Sequence, residues 1–340
     1  RMRIFVTGGT GLVGRHTIRQ LRARGDDVLA LARSDEAARA IDALGASVLR
    51  GDLGDAAALD RGVVACDATV HAAAMVMDRA GWDAYRAGNV EPTEAIATAA
   101  AHHGKRLVHL SSVAVYGRRN TYAGGPGSVT EDFGLDQPPF PGDHYARSKR
   151  EAELALWRVA DATGLKAAAL RPCVIYGEGD RQFSPRVAWA LRIGGGFAPL
   201  LGGGTSTLSV VYAGNVAAAV LAALDRPAAT GPFLITNDGA ITLRGFLEAF
   251  ASGLGVRLHP VKVPAGLAWA GARALDGVVR LVRPRGPMTM VKGVVQFLAN
   301  DNPYTSERAE RVLGWRPVVP PVEAAERTGR AFRRADERVP

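Results

Sequence analysis

The sequence predicts an α/β fold, a doubly wound parallel sheet followed by a smaller, mostly helical C-terminal part. Three observations carry this. Short apolar runs rich in β-branched residues alternate with amphipathic helical stretches as far as residue 110. The first run leads straight into a glycine-rich turn and a helical pattern, Thr7-Gly-Gly-Thr-Gly-Leu-Val-Gly14. After Arg171 the alternation fades, and proline breaks divide largely helical patterns.

Taken in order, strands are predicted at 4–7, 28–32, 47–49, 68–71 and 106–110, with helices at 11–24, 35–44, 55–61 and 82–103. Short connections between them imply right-handed crossovers and a parallel sheet. Residues 117–142, rich in Gly and Pro, form the longest loop, and long loops in compact domains are usually functional. A helix at 144–163 and a strand at 166–170 follow. Residues 194–204 read as a glycine-rich connector, 208–211 as a short strand, 213–224 as a helix and 232–236 as a strand. From Ile241 onward the pattern is mostly helical, broken at Pro260, Pro264, Pro284, Pro287, Pro317, Pro320 and Pro321. Residues 1–178 with about 205–240 are expected to form one domain, and 179–204 with 241–340 a second.

The glycine-rich turn names a ligand class. Gly8 allows a tight turn, Gly11 lets backbone N–H groups approach a pyrophosphate, and Gly14 lets the helix pack on the strand with its positive end toward the phosphates. The expected ligand is a dinucleotide.

Composition narrows the rest. With 340 residues and 47% apolar content the chain is globular. Two cysteines, Cys66 and Cys173, argue against a disulfide framework or a metal site and fit a reducing compartment. No secretory leader precedes the first strand, and Met2 reads as the native start, so a cytoplasmic location is expected. The net charge is +9, with basic residues scattered but denser at Arg280, Arg283, Arg285 and at Arg327, Arg330, Arg333, Arg334. Attraction to nucleic acid or to an anionic membrane surface is one reading of that charge. A general preference for arginine is the one favoured, because no aromatic-interleaved patch is evident. No apolar run reaches the ~20 residues that span a bilayer. The apolar stretch 264–282 is interrupted by Arg273 and Asp276 and reads as a buried or interfacial helix.

Two constellations point to chemistry. Tyr145 and Lys149 stand four apart at the start of a predicted helix, hence on one face. An ammonium there is expected to lower the phenol's pKa, making it a proton donor or acceptor near neutrality. Ser111 and Ser112 lie at the carboxyl end of the fifth strand, where ligands bind in such sheets, and a hydroxyl there can steady a developing alkoxide.

Together with Gly51-Asp-Leu53, His71-Ala-Ala-Ala74, Asn89, Ser111-Ser-Val-Ala-Val-Tyr-Gly117 and Leu170-Arg-Pro-Cys-Val-Ile-Tyr-Gly177, these motifs resemble an extended short-chain dehydrogenase/reductase, of the NAD-dependent epimerase/dehydratase superfamily, in order and over nearly the whole chain. The resemblance implies a Rossmann-type domain and a set of roles. Tyr145 matches the catalytic acid/base, Lys149 its partner, and Ser112 the catalytic serine better than Ser111. Gly8, Thr10, Gly11, Leu12, Val13 and Gly14 match the phosphate loop. Asp52 and Leu53 match the adenine contacts, and Ala72, Ala73 and Ala74 the stretch lining the cofactor. Asn89 matches the asparagine that steadies the site, and Ser111 falls among the cofactor contacts. Pro172, Val174 and Ile175 match the segment beside the nicotinamide. Asn215 matches a structural position, and a homodimer through helices 82–103 and 144–163 is implied.

Cofactor choice has a physical reading. An acidic residue at the tip of the second strand binds the ribose 2′-OH of NAD. Here the tip reads Leu31-Ala32-Arg33-Ser34, and Asp35 is expected to cap the next helix. Arg33, assisted by Arg15, can pair with a 2′-phosphate, so NADP(H) is preferred, with NAD(H) possible.

The segments 206–217 and 304–317 resemble the branch holding 3-beta-hydroxysteroid dehydrogenases, hopanoid-associated enzymes and dihydroflavonol-type reductases. Sugar-nucleotide epimerases usually place an arginine just before the strand at Val210, and Ser206 to Ser209 supply none, although Arg181 or Arg186 could substitute. The apolar helices expected at 265–281 and 291–298 suit an apolar small-molecule substrate. The reading is an oxidoreductase interconverting a secondary alcohol and a ketone; a sugar-nucleotide epimerase or dehydratase is the alternative.

Overall fold

The computed structural model describes all residues except 77–79, 118–119, 237–238, 265, 268, 272, 275–289 and 337–340. Most of the apolar stretch 265–281, and Arg280, Arg283 and Arg285, therefore lie outside the described residues.

A seven-stranded parallel sheet forms the centre. Its strands are β1 (Arg3–Thr7), β2 (Asp27–Ala32), β3 (Ser47–Arg50), β4 (Ala68–His71), β5 (Arg106–Leu110), β6 (Ala167–Pro172) and, pairing beside β6, Gly231–Ile235. The spatial order from that last strand is β6, β5, β4, β1, β2, β3. The order reverses between β1 and β4, and ligands in such sheets bind at that crevice. Helices α1 (Leu12–Arg24), α2 (Asp35–Asp42) and α3 (Ala56–Val64) alternate with the first strands, as the sequence predicts.

Each sheet face buries its own apolar set. Ile4, Val6, Val28, Ala30, Val70, Val108 and Leu170 pack against α1 and a later helix, Ala213–Leu224. Phe5, Leu29, Leu107, Ala167 and Ala169 face α3, α5 (Glu91–His102, after the short α4, Trp82–Tyr85) and α6 (His144–Thr163).

Several expectations need correction. The helix predicted at 82–103 is divided by a π-helical turn at Arg86–Val90, which carries Asn89. The connector expected at 194–204 contains a strand, β8 (Phe197–Leu201), which pairs in parallel with β11 (His259–Val263), in a region expected to be helical. A further pair, β7 (Val174–Tyr176) and β9 (Val210–Tyr212), was partly visible as the strand expected at 208–211. The strand β10 (Gly231–Ile235) and the helices α7 (Phe183–Ile193), α8 (Ala213–Leu224), α9 (Leu243–Leu254), α10 (Met290–Ala299) and α11 (Pro321–Asp336) follow, and the described residues within 266–274 are helical as well.

A second core joins Leu191, Ala198, Leu200, Phe246, Phe250 and Leu254 with Ala324 and Ala325 of α11. The chain between α10 and α11 returns to the central sheet, where Ala309, Leu313 and Trp315 join the α1–α8 core. Asn215, fully buried, ties this return down. Its Oδ1 accepts from Val318 N and Val319 N at 2.8 and 2.9 Å, and its Nδ2 donates to Val319 O at 2.8 Å. No helix among the described residues is long and apolar enough to cross a membrane.

Candidate active site

The glycine loop is shaped as a phosphate cradle. Gly8 has φ +75°, and a Cβ there would lie 2.5 Å from Ala73 N. A Cβ on Gly14 would lie 2.0 Å from Gly8 O. Both positions thus exclude any side chain, which brings α1 and the segment Ala72–Ala73 against the turn. Helix α1 starts from Gly11 with no side-chain cap and no acidic residue in its first turn. The N–H groups of Leu12 and Val13 are left for an anion, favoured by the helix dipole. Thr10 flanks this turn, partly buried.

Around the tip of β2, Arg33 is exposed and makes no ion pair among the described residues. The cap expected from Asp35 is instead Ser34, whose Oγ accepts from Ala37 N at 3.2 Å. Asp35 is in the first turn and pairs with Arg50. Arg50 is thereby neutralised while Arg33 stays available. Asp52 accepts from Gly54 N at 3.0 Å, and Leu53 packs on the α3 side of the sheet.

The hydroxyls separate cleanly into two roles. Ser111, buried, donates to Glu153 Oε2 at 2.5 Å, so its side chain is turned into the protein. Ser112, partly exposed, caps the 3₁₀ turn Val113–Tyr116 by accepting from Ala114 N at 3.1 Å, and it hydrogen-bonds the Tyr145 phenol. Asp143 caps α6 by accepting from Ala146 N at 3.0 Å, which fixes the helix start and hence Tyr145 and Lys149 on its first turns.

Lys149 is buried and donates to Leu110 O at 2.8 Å. Burial pushes its ammonium down to about 8, opposed by the nearby Glu153 carboxylate. Tyr145 departs from expectation. Its phenol is pushed up by burial, with the Ser112 hydrogen bond opposing, and Lys149 is not among the groups that move it. The desolvation of a partly enclosed phenol outweighs an ammonium whose bonded partner is a backbone carbonyl.

Behind these groups lies a polar layer that sequence reasoning did not find. Glu153 Oε1 accepts from Arg171 Nη2 at 2.5 Å, both side chains being nearly fully buried. Trp157 Nε1 donates to Glu153 at 3.0 Å, and Arg171 Nη1 donates to Tyr116 Oη at 3.1 Å. His71 is likewise buried. Thr93 Oγ1 donates to Asn89 O at 2.7 Å and so accepts from His71 Nε2–H at 3.0 Å; Nδ1 then accepts from Thr7 Oγ1–H at 2.7 Å. Burial, and the charge of Lys149, hold this imidazole neutral, down at about 3. Asn89 accepts from Met75 N at 2.6 Å and donates to Ser148 Oγ at 2.7 Å. Its amide thus clamps the segment after β4 to α6. Pro172 ends β6, and Val174 and Ile175 form β7 just past the sheet's edge.

The loop 117–142 is anchored partway along. Val129 N donates to Pro303 O at 2.8 Å, Thr305 N to Val129 O at 3.2 Å, and Leu234 N to Glu131 Oε1 at 2.7 Å. The serines before β9 are also engaged. Ser206 Oγ donates to Leu298 O at 2.7 Å and Ser209 Oγ to Asn302 Oδ1 at 2.9 Å.

Lys149 gives a measurable signature. Below about pH 8 it is charged in folded and unfolded chains alike, and the fold carries the full cost of burying it. Between about 8 and its ordinary 10.5 the unfolded chain holds the extra proton, so stability rises with pH. Lys149→Met is expected to stabilise the cofactor-free protein at pH 7 by up to ~3 kcal/mol, less the lost bond to Leu110. The advantage vanishes near pH 10.5. Melting curves of both proteins across that range check it; a variant that melts lower at pH 7 would contradict it.

Known proteins share these features. The NAD dependent epimerase/dehydratase family matches residues 4–237. The chain is 31% identical over 315 residues to a 4-hydroxy-2-methyl-3-oxo-4-farnesyl-3,4-dihydroquinoline-1-oxide ketoreductase of Stigmatella aurantiaca, covering 92% of each. It is 30% identical over 327 residues to a 2-alkyl-3-oxoalkanoate reductase of Stenotrophomonas maltophilia (strain K279a), covering 94% of this chain and 96% of that one. The crystal structure of gox2253 superposes with a TM-score of 0.75 at 23% identity, over 98% of both chains, which shows the shared fold. The chain belongs to the NAD-dependent epimerase/dehydratase family and is an oxidoreductase of its dehydrogenase/reductase branch, acting between CH–OH and ketone groups.

Proposed function

We propose that the chain reduces a ketone on an apolar small molecule, of isoprenoid, polyketide or sterol type, with NADP(H). The observation that carries the chemistry is the Ser112–Tyr145 hydroxyl pair at the carboxyl end of β5, beside the uncapped N-terminus of α1. The nicotinamide supplies the hydride when bound. The chain's residues do the rest. Tyr145 passes its phenolic proton to the carbonyl oxygen, and Ser112 orients that oxygen and steadies its charge as it develops. A phenol pushed up by burial stays protonated at neutral pH, which suits reduction. Lys149, its ammonium held by Leu110 O, is placed to bind ribose hydroxyls and support the proton's replacement. Asn89 and the Glu153–Arg171 pair hold the segments that carry these groups.

The apolar substrate is supported by the names of the two relatives and by Ser206 and Ser209. Where sugar-nucleotide epimerases use an arginine, these serines are spent on holding residues 298–302. The cations near α1 fit the cofactor instead. Arg15, the residue after Gly14, donates to Gly179 O at 3.1 Å, and burial and then Arg181 and Arg19 push its guanidinium down, so cations gather around the first turns of α1. We further propose a cytoplasmic homodimer paired through α5 and α6, and a substrate cleft between the sheet's carboxyl edge and the second core built by α7, β8 and α9.

A ketone panel read at the nicotinamide absorbance tests the reading, with consumption of NADPH expected on apolar ketones. Arg33→Ser tests the cofactor part. It is expected to weaken NADPH by about 1–2 kcal/mol, roughly five- to thirtyfold, and to leave NADH unchanged. Equal affinities in the parent protein would remove Arg33 from the account.

A further inference from the structure

The +9 charge is not scattered as the sequence reading supposed. Residues 181–200 and 255–299 hold ten Lys and Arg against one acid, Asp276. The remaining residues balance, 32 basic against 32 acidic. The whole net charge therefore belongs to two segments.

The same segments expose their apolar side chains. Trp189 is 62% exposed, Ile193 65%, Phe197 63% and Leu267 66%, with Val261 and Val294 also exposed. Large apolar groups at such exposure are usually isolated on a monomer's surface. Here the chain brings Trp189, Ile193, Phe197 and Val261 together. Trp189 and Ile193 stand four apart on α7, and Arg186 continues the same stripe one turn earlier. The turn Gly194–Gly196 then leads directly into Phe197 of β8. The β8–β11 register sets Phe197 beside His259, with ring centroids 5.1 Å apart, and Pro199 beside Val261. The opposite sides of α7 and β8 contribute Ala188, Leu191, Ala198 and Leu200 to one core. The exposed sides of both elements therefore point away from that core and form a continuous face. Arg186, Arg192, Arg257 and Lys262 are exposed around it.

We propose that this face, formed by α7, β8 and β11, docks on an anionic lipid membrane. An apolar patch with an indole and a phenyl ring, flanked by the exposed cations of Arg186, Arg192, Arg257 and Lys262, matches the acyl boundary and the negative headgroups of such a surface together. A second copy of the chain fits less well, because symmetric pairing of the face would oppose its cations to one another. α7 begins at Phe183, which meets Phe246 and Phe297 inside the lobe, so the docked face adjoins the apolar interior of that lobe. An apolar substrate could then enter from the bilayer. That consequence rests on the proposed function, whereas the docking itself does not.

The test is sedimentation of the full chain with vesicles, without substrate. Phosphatidylcholine vesicles containing phosphatidylglycerol are compared with phosphatidylcholine alone, at low and high salt. The wild-type protein is expected to sediment with the anionic vesicles, less with the neutral ones, and less as salt rises. The variant W189S/I193S/F197S is expected to lose about tenfold or more in partitioning, with circular dichroism and NADPH titration unchanged to show an intact fold. Wild-type protein left in the supernatant, or a variant that sediments equally well, would overturn the proposal. So would a variant that changes only in oligomeric state by light scattering, which would assign the face to a second copy. Failure of the ketone panel with retained vesicle binding would overturn the substrate reading alone.

Discussion

Tyr145→Phe is expected to lower kcat by about 10³-fold or more, because the group that protonates the nascent alkoxide is gone while the ring that fills its space remains. Cofactor affinity is expected to stay within a few fold. The phosphate loop, Arg33 and Lys149 are untouched by the change, and the phenol's bonded partner in the structure is Ser112. Ser112→Ala is expected to cost less, about 10²-fold, since it removes one hydrogen bond to the developing charge and spares the proton donor. Steady-state rates together with a fluorescence titration of NADPH separate these effects. Turnover retained in Tyr145→Phe would remove Tyr145 from the chemistry.

The largest stability effect is expected at Arg171. Replacing it with Leu leaves Glu153 buried with its charge and only the Ser111 hydroxyl and the Trp157 indole as partners. Breaking a buried pair from one side costs about 3–5 kcal/mol. The phenol of Tyr116, pushed up to about 12 by burial, also loses its donor. The double variant with Glu153→Leu is expected to recover much of the loss, because the carboxylate left without its guanidinium is removed as well. Urea unfolding of the parent, single and double variants measures this. A single variant within about 1 kcal/mol of the parent would show that the pair does not hold the layer together.

These two predictions draw on residues of different legibility. Tyr145, Lys149 and the glycine loop are readable because each is a short-range pattern: four residues on one helix face, or three glycines between a strand and a helix. The alternation of the first five strands is readable for the same reason. Glu153, Arg171 and Ser111 are 18 and 42 positions apart along the chain, and only the pairing of β5 with β6 beside α6 brings them together. No local signal marks them as partners. The strands β7, β8 and β11 are three to five residues long, and β8 follows a run of glycines, so no alternation could establish itself. The π-helical turn at Arg86–Val90 keeps the helical periodicity on either side and so hides within it. The downward shift expected for Tyr145 failed because proximity along a helix says nothing of desolvation, which dominates there. The charge, read as scattered, falls in two segments of the chain, 181–200 and 255–299, and part of it stands on or beside α7 and β11.

The central claim is a net reduction in which the chain consumes its cofactor. The most direct measurement follows deuterium from NADPH labelled at the nicotinamide C4 into the product of a ketone found active in the panel. Label on the carbinol carbon, in step with loss of NADPH absorbance, is the expected result. Cofactor that co-purifies, is never consumed and keeps its label while a sugar nucleotide is epimerised would contradict the account.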